Sequence, residues 1–201
     1  MASFSSSAAG SPAVGLLASQ GGFEAHRRAF SAIGVPAREV RAPEEIDAVD
    51  ALVLPGGEST TVIKAIERDA LTTPIREFVA SGRPVLGTCA GAIVLDREHL
   101  DLLDVVCERN AYGRQIASFE ADLEIEGCGE DPFRCVFIRA PKIRQAGAAV
   151  DVLARHRRDP VLVREGNLLA ATFHPELAGD ERVHAIFTAM IDARAGVGET
   201  R

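Results

Sequence analysis

The segment Pro84-Val85-Leu86-Gly87-Thr88-Cys89-Ala90-Gly91-Ala92-Ile93-Val94-Leu95 constrains this chain more than any other. A short apolar run after a proline suits a buried parallel strand, and the second apolar run suits a helix packed upon it. Gly87-Thr88-Cys89-Ala90-Gly91 joins them as a G-x-C-x-G form of the strand-turn-helix nucleophile elbow. A turn that sharp raises its central side chain above the sheet and crowds the neighbouring Cβ positions, which favours glycine on both sides. The helix start behind Cys89 offers free N–H groups and a positive dipole end, both of which favour a thiolate and a developing oxyanion. A buried structural cysteine is the ordinary alternative. The segment alone leaves both readings open.

A chain of 201 residues is long enough for one domain with a substantial core. A net charge of −7 argues against a general nucleic-acid or anionic-membrane binder, and no apolar run approaches the ~20 residues of a membrane span. Residues 1–12 are small and polar, without the basic start and apolar centre of a secretory signal. They are expected to form a disordered extension to a single domain over 13–201, and the protein is expected to be cytoplasmic. Cys89, Cys107, Cys128 and Cys135 include no CxxC pair, and no histidine lies at zinc-ligand spacing, so no metal site is expected. Cys107 reads as a strand core residue, and Cys128 and Cys135 as thiols flanking a turn at Gly129-Glu130-Asp131-Pro132.

Short buried-type strands are expected at 13–18, 35–41 and 51–54, with helices at about 23–33, 60–68 and 74–81 between them. This alternation predicts an α/β fold of three layers, a mainly parallel sheet flanked by helices. Further strands are expected at 102–108, 149–155, 161–164 and 168–173, and an antiparallel pair at 119–126 and 133–139 extends the core. A helix over about 180–194 closes the chain. No G-x-G-x-x-G follows the first strand and no Gly-Lys-Ser/Thr follows Gly56-Gly57, so dinucleotide and P-loop readings are excluded. Ligand sites in such sheets form beyond the C-terminal strand ends, where both Cys89 and the Gly56-Gly57 loop fall.

The last strand runs into His174-Pro175-Glu176. A histidine past a strand end shares the rim with Cys89, and Glu176 can orient its imidazole, giving nucleophile, base and orienter. Ala90, after the nucleophile, and Gly57, from the glycine loop, can supply the two N–H groups of an oxyanion hole. His26, His99, His156 and His184 lie among charged residues and read as solvated surface histidines.

Gly87-Thr88-Cys89-Ala90-Gly91 with His174 and Glu176 resembles the triad-type (class I) glutamine amidotransferases, whose sheet is flavodoxin-like. Six segments resemble, more closely, the glutaminase subunits of pyridoxal 5'-phosphate synthases: 55–61, 87–91, 108–115, 118–121, 136–141 and 173–176. They occur in family order and cover nearly everything from Val14 to Arg194. The resemblance implies hydrolysis of glutamine to glutamate and ammonia without a cofactor. It also implies delivery of that ammonia to a β/α-barrel synthase in a hetero-oligomeric complex. It makes Cys89, His174 and Glu176 the triad, and Gly57, Glu58, Ser59, Arg109, Ile138 and Arg139 the glutamine-binding residues. Arg109 and Arg139 offer forked donors to an α-carboxylate, and Glu58 can receive an α-ammonium. The resemblance gives Gln20, in Ser19-Gln20-Gly21, a part in adjusting the oxyanion loop. The connection from Leu95 to Leu102 is shorter than the family usually carries, and reads Leu100-Asp101-Leu102-Leu103 where the family has Leu-Gly-Leu-Leu. A glutaminase for another pathway, such as imidazole glycerol phosphate or guanylate synthesis, is disfavoured by Arg109-Asn110 and by Phe137-Ile138-Arg139-Ala140-Pro141. A non-catalytic binding subunit is disfavoured by the complete Cys-His-Glu set.

Overall fold

The computed structural model describes residues 12–19, 21–109, 111 and 118–198. Four-residue apolar runs with no polar alternation form its central strands, because a strand covered on both faces must be apolar on both. They are β1 (Val14–Leu17), β3 (Ala51–Leu54), β4 (Val85–Thr88) and β11 (Leu168–Ala171). Successive side chains feed opposite layers. In β3, Leu52 and Leu54 enter one core while Ala51 and Val53 enter the other. In β11, Leu168 and Ala170 likewise separate from Leu169 and Ala171.

Those two cores are the two faces of a three-layer sandwich. One is covered by α2 (Pro43–Asp47), α3 (Ser59–Arg68), α4 (Thr72–Ala80) and α5 (Ala90–Leu95), through Ile46, Val62, Ile66, Ile75 and Phe78. The other is covered by α1 (Phe23–Ala32) and α6 (Arg182–Gly198), through Phe30, Val183 and Phe187. Burying a side chain of this size contributes roughly 1.5–3 kcal/mol each, so both layers are needed to hold the sheet.

With β2 (Ala37–Val40), β9 (Asp151–His156) and β10 (Asp159–Glu165), the sheet has seven strands in the order β2-β1-β3-β4-β11-β10-β9. The first five are parallel, with Leu54 opposite Gly87 and Ala171 opposite Thr88. β10 pairs antiparallel with both β11 and β9, and the Gly166-Asn167 turn, where Gly166 has φ +56°, joins it to β11. The register places the ends of β3, β4 and β11 side by side on one rim.

The helix and strand expectations correspond to elements in place, with three corrections. First, β6 (Ser118–Leu123) and β7 (Phe133–Ile138) pair antiparallel as a separate two-stranded sheet, and β10 and β9 form the antiparallel part of the main sheet. Phe133, Cys135 and Phe137 point into the core under α6, so the hairpin packs over the sheet instead of extending it. Second, β5 (Val105–Glu108) is shorter than expected and pairs with β8 (Lys142–Ala146), a strand too polar to stand out in the sequence. Third, Leu102 and Leu103 belong to a turn, both donating to the Leu95 carbonyl. Asp101 adopts φ +52° there, the left-handed conformation that glycine takes most readily. Buried Asp96 organises the same turn, accepting from the Glu98 N–H, the His99 ring and the Cys107 N–H. No described helix is long and apolar enough to cross a membrane.

Candidate functional site

Cys89 stands between β4 and α5 at φ +48°, ψ −102°. A non-glycine residue in such a region costs about 1–3 kcal/mol and persists only where its surroundings over-determine it. Here they do. The Cys89 N–H donates to the Ala171 carbonyl at 2.8 Å. A Cβ on Gly87 would lie 2.7 Å from the Gly91 carbonyl, and one on Gly91 would collide with the Leu54 carbonyl oxygen. The two glycines of the elbow therefore let strand, turn and helix approach more closely than any side chain permits.

The loop after β3 lies under the same site. Its Gly56 N–H donates to Thr88 Oγ1 at 3.1 Å, and its carbonyl accepts from the Gly22 N–H at 3.3 Å. Gly21, at φ +101°, leaves room for that carbonyl. A Cβ on Gly56 would lie 3.0 Å from His174 Nδ1 and 3.3 Å from the Cys89 Cβ, so the missing side chain is the floor on which the imidazole rests. Gln20 lies outside the described residues. Glu58 caps α3, accepting from the Thr60 and Thr61 N–H groups and from the Thr61 hydroxyl. Those bonds, the Thr61 hydroxyl first, hold its carboxyl down at about 2.

His174 follows β11 and is tied by its N–H to the Val136 carbonyl at 2.8 Å. A 3₁₀ turn over Pro175–Leu177 then brings Glu176 back behind the ring, with Oε1 2.7 Å from His174 Nδ1. Glu176 is almost wholly buried and lies against Gly22, at the positive end of α1. Burial opposes a charge on His174. The Cys89 thiol and the Glu176 carboxylate overcome it and raise His174 to about 10. Burial opposes a charge on Glu176 too, and the His26 and His174 rings facing it hold the carboxyl below its usual range. An imidazole in contact with a thiol and oriented by a carboxylate is the arrangement that can take and return the proton of a nucleophile.

The cavity at this point measures about 240 Å³ and is lined by Gly57, Glu58, Ser59, Cys89, Ala90, Ile93, Arg109, Ile138, Arg139, Pro141 and His174. That is below the ~300 Å³ where drug-sized sites begin, and suits a molecule as small as an amino acid. Every sequence-predicted site residue lies on this wall except Glu176, which stands behind His174. Ala90 is the first residue of α5, where N–H groups lack intrahelical partners. The Cys89 thiol faces the Ile138 carbonyl at 3.8 Å. Arg139 follows with φ +45°, exposed above the cavity. Arg109 is not free: its Nη2 donates to Glu58 at 2.7 Å and to Thr60 Oγ1 at 2.9 Å. The two charges expected to meet the ends of an amino acid are thus paired with each other, at the price of little, since both are about half exposed. Asn110 and residues 112–115 of the 108–115 segment lie outside the described residues.

The surface reading of the histidines is overturned. His26 and His184 are fully buried, and His99 and His156 are half-buried, bonded to Asp96 and packed against Phe119 and Phe137 respectively. His26 reaches the far side of the candidate triad, with Nε2 3.3 Å from Glu176 Oε2. Helical spacing could have found them. His26 shares a face with Ala29 and Phe30, and His184 with Phe187 and Ile191. Beside His26 the charged Glu24, Arg27 and Arg28 are exposed, while beside His184 Arg182 is half-buried over the Phe133 ring. Gly56 and Thr88 were missed as well, since nothing local marks a floor or a latch.

A thiol on a strained elbow, backed by an imidazole and a carboxylate at the rim of a parallel sheet, is built for acyl transfer, so fold and rim place the chain among cysteine-dependent α/β enzymes. The profile of the SNO glutamine amidotransferase family matches residues 16–193, and the chain belongs to that family. It is 48% identical over 185 residues to a Thermotoga neapolitana protein named pyridoxal 5'-phosphate synthase subunit PdxT, covering 89% of this chain and 98% of the relative. A protein of the same name from Pelotomaculum thermopropionicum is 50% identical over 181 residues, covering 87% and 92%. A solved structure described as a glutamine amidotransferase superposes with a TM-score of 0.83 at 44% identity, covering 89% of this chain and 98% of that one.

Proposed function

We propose that this protein hydrolyses L-glutamine to L-glutamate and ammonia, and that the ammonia serves a partner synthase subunit in making pyridoxal 5'-phosphate. The observation that carries the chemistry is the Cys89–His174–Glu176 line, with His174 Nδ1 2.7 Å from Glu176 and its other face on the thiol. The names of the relatives support the pathway, each being a subunit of that synthase.

Cys89 Sγ attacks the side-chain amide carbon of glutamine. The carbonyl oxygen takes the negative charge, and the N–H groups of Ala90 and Gly57 receive it. His174 passes its proton to the departing nitrogen as the C–N bond breaks, which releases ammonia and leaves a γ-glutamyl thioester. A water then gives a proton to His174 and its oxygen to the thioester carbon. A second tetrahedral species collapses to glutamate and restores the thiolate. Glu176 holds the imidazole in position throughout. At the α-carbon, Arg109 and Arg139 receive the carboxylate and Glu58 the ammonium, with Ser59 and Ile138 closing the sides. Arg109 can serve both Glu58 and a substrate because only one of its forked nitrogens is committed to the protein. The partner is a β/α-barrel synthase in a hetero-oligomeric complex.

The test is glutamate release by wild type and Cys89→Ala, each with and without the barrel synthase. Activity that rises with the partner and falls by about 10⁴-fold or more in Cys89→Ala is expected. Partner-independent activity lost in Cys89→Ala would point to another pathway, and no glutamate under any condition would make the chain a binding subunit.

A further inference from the structure

Behind the triad the structure holds a second, buried row of polar side chains that the reaction as written does not use. His26 Nε2 lies 3.3 Å from Glu176 Oε2 and 3.2 Å from Thr88 Oγ1, and His26 Nδ1 lies 3.0 Å from His184 Nε2. His26, Thr88 and His184 are all fully buried. The row therefore runs from α6 through α1 to the carboxylate that orients His174. We propose that His26, backed by His184, is a positioning residue for the triad: it holds the second oxygen of Glu176 so that the first stays aimed at His174.

The proton order follows from the surroundings. His184 Nδ1 is buried with no hydrogen-bond partner among the described residues, and its ring packs edge-on against Phe30. Buried donors without partners are rarer than buried acceptors without them, so the proton of a neutral His184 belongs on Nε2. From there it is donated to His26 Nδ1. His26 then carries its own proton on Nε2, the nitrogen facing Glu176. The opposite tautomer would set a bare nitrogen against a buried carboxylate oxygen. Both rings stay neutral, because burial, the leading influence on each, pushes them below the usual histidine range, His184 to about 3. The titratable groups facing His26 are Glu176, His174 and His184.

His26 Nε2 approaches Glu176 Oε2 off the ideal line, and that oxygen has no fully formed hydrogen bond among the described residues. The formed hydrogen bond of His26 Nε2 is with Thr88 Oγ1, and the same edge of the ring faces Glu176 Oε2 at 3.3 Å. Without His26, a nearly buried carboxylate keeps one anchored oxygen and loses the dipole that faces the other. It can then turn about its terminal bond or take up a proton, and either change loosens the hold on the His174 imidazolium that sustains the Cys89 thiolate.

The inference rests on the proposed glutaminase chemistry, so the experiment reads the triad directly as well as through turnover. The pH dependence of Cys89 alkylation by iodoacetamide is measured on the full chain for wild type, His26→Leu, His26→Asn and His26→Gln. Melting temperature is recorded for each, with kcat and KM for glutamine in the presence of the synthase. Gln can place an amide N–H where His26 Nε2 lies; Asn reaches only the Nδ1 position, and Leu neither. The expected result for Leu and Asn is a thiolate midpoint raised by about one pH unit and kcat lowered about tenfold, with KM within about threefold. His26→Gln should return most of both. A folded Leu or Asn variant with the wild-type alkylation profile overturns the proposal. So does an equal shift in Gln and Asn, which would mean that packing alone matters. If Leu does not fold, the Asn–Gln comparison decides. Wild type that alkylates at low pH yet releases no glutamate would instead refute the glutaminase reading.

Discussion

Gly56→Ala should separate catalytic geometry from stability. The backbone at Gly56 is not left-handed, so alanine is conformationally acceptable and the whole effect comes from one methyl group. That methyl would lie 3.0 Å from His174 Nδ1 and 3.3 Å from the Cys89 Cβ, nearer still to the ring's Cε1. Ordinary carbon contacts are about 3.5–4.0 Å, so ring and loop must part by roughly 1 Å. Neither is free to move. The loop is pinned to Thr88 and Gly22, and the ring to Glu176. Overpacking of this kind costs about 1–3 kcal/mol, and a ~1 Å misplacement of a reacting group costs about 100-fold in rate. The assay is kcat for glutamate release with the synthase present, alongside thermal unfolding. Gly129→Ala is the control. Gly129 has φ +82° with nothing within 4 Å of its Cβ position, so alanine there meets only the left-handed penalty of about 1–2 kcal/mol and should leave kcat unchanged. If Gly56→Ala keeps kcat within threefold of wild type, His174 does not rest on Gly56 in the working enzyme and the reasoning fails.

Two further outcomes follow from the charges. His184 is held neutral at about 3 in the fold, against about 6.5 when unfolded. The unfolded chain therefore binds the extra proton below pH 6.5, and stability is complete above that value and lost as pH falls toward 3. Between pH 7 and 5 this one group removes about 2 kcal/mol, or about 4–8 °C in melting temperature for a chain this size; a urea or thermal series over that range checks it, and a flat profile refutes it. Arg109→Lys should raise KM for glutamine about tenfold with kcat little changed, because lysine loses the fork shared by Glu58 and substrate. Its melting temperature should not move, the ion pair being half exposed; a larger fall in kcat than rise in KM would place Arg109 nearer the chemistry than the α-carboxylate.

Apart from the polar strand β8, the order of elements, the layered α/β class and the rim position of Cys89, the glycine loop and His174 were legible in the sequence. Strands buried on both faces are continuously apolar, helices carry a 3.6-residue stripe, and an elbow needs glycine at fixed offsets, so each is written within a few neighbouring residues. Only the tertiary structure decided what those elements bring together from far apart. It set the β6–β7 hairpin on the sheet's face instead of its edge. It paired Arg109 with Glu58 across 51 positions. It made Gly56 the floor beneath His174, although nothing near Gly56 in sequence distinguishes it from an ordinary turn glycine. The histidines show the difference best. Charged neighbours made His26 and His184 resemble surface residues, yet their helices turn both imidazoles inward. Burial is a property of the helix face and its packing partner, and for His26 that partner includes a carboxylate 150 residues away in the chain.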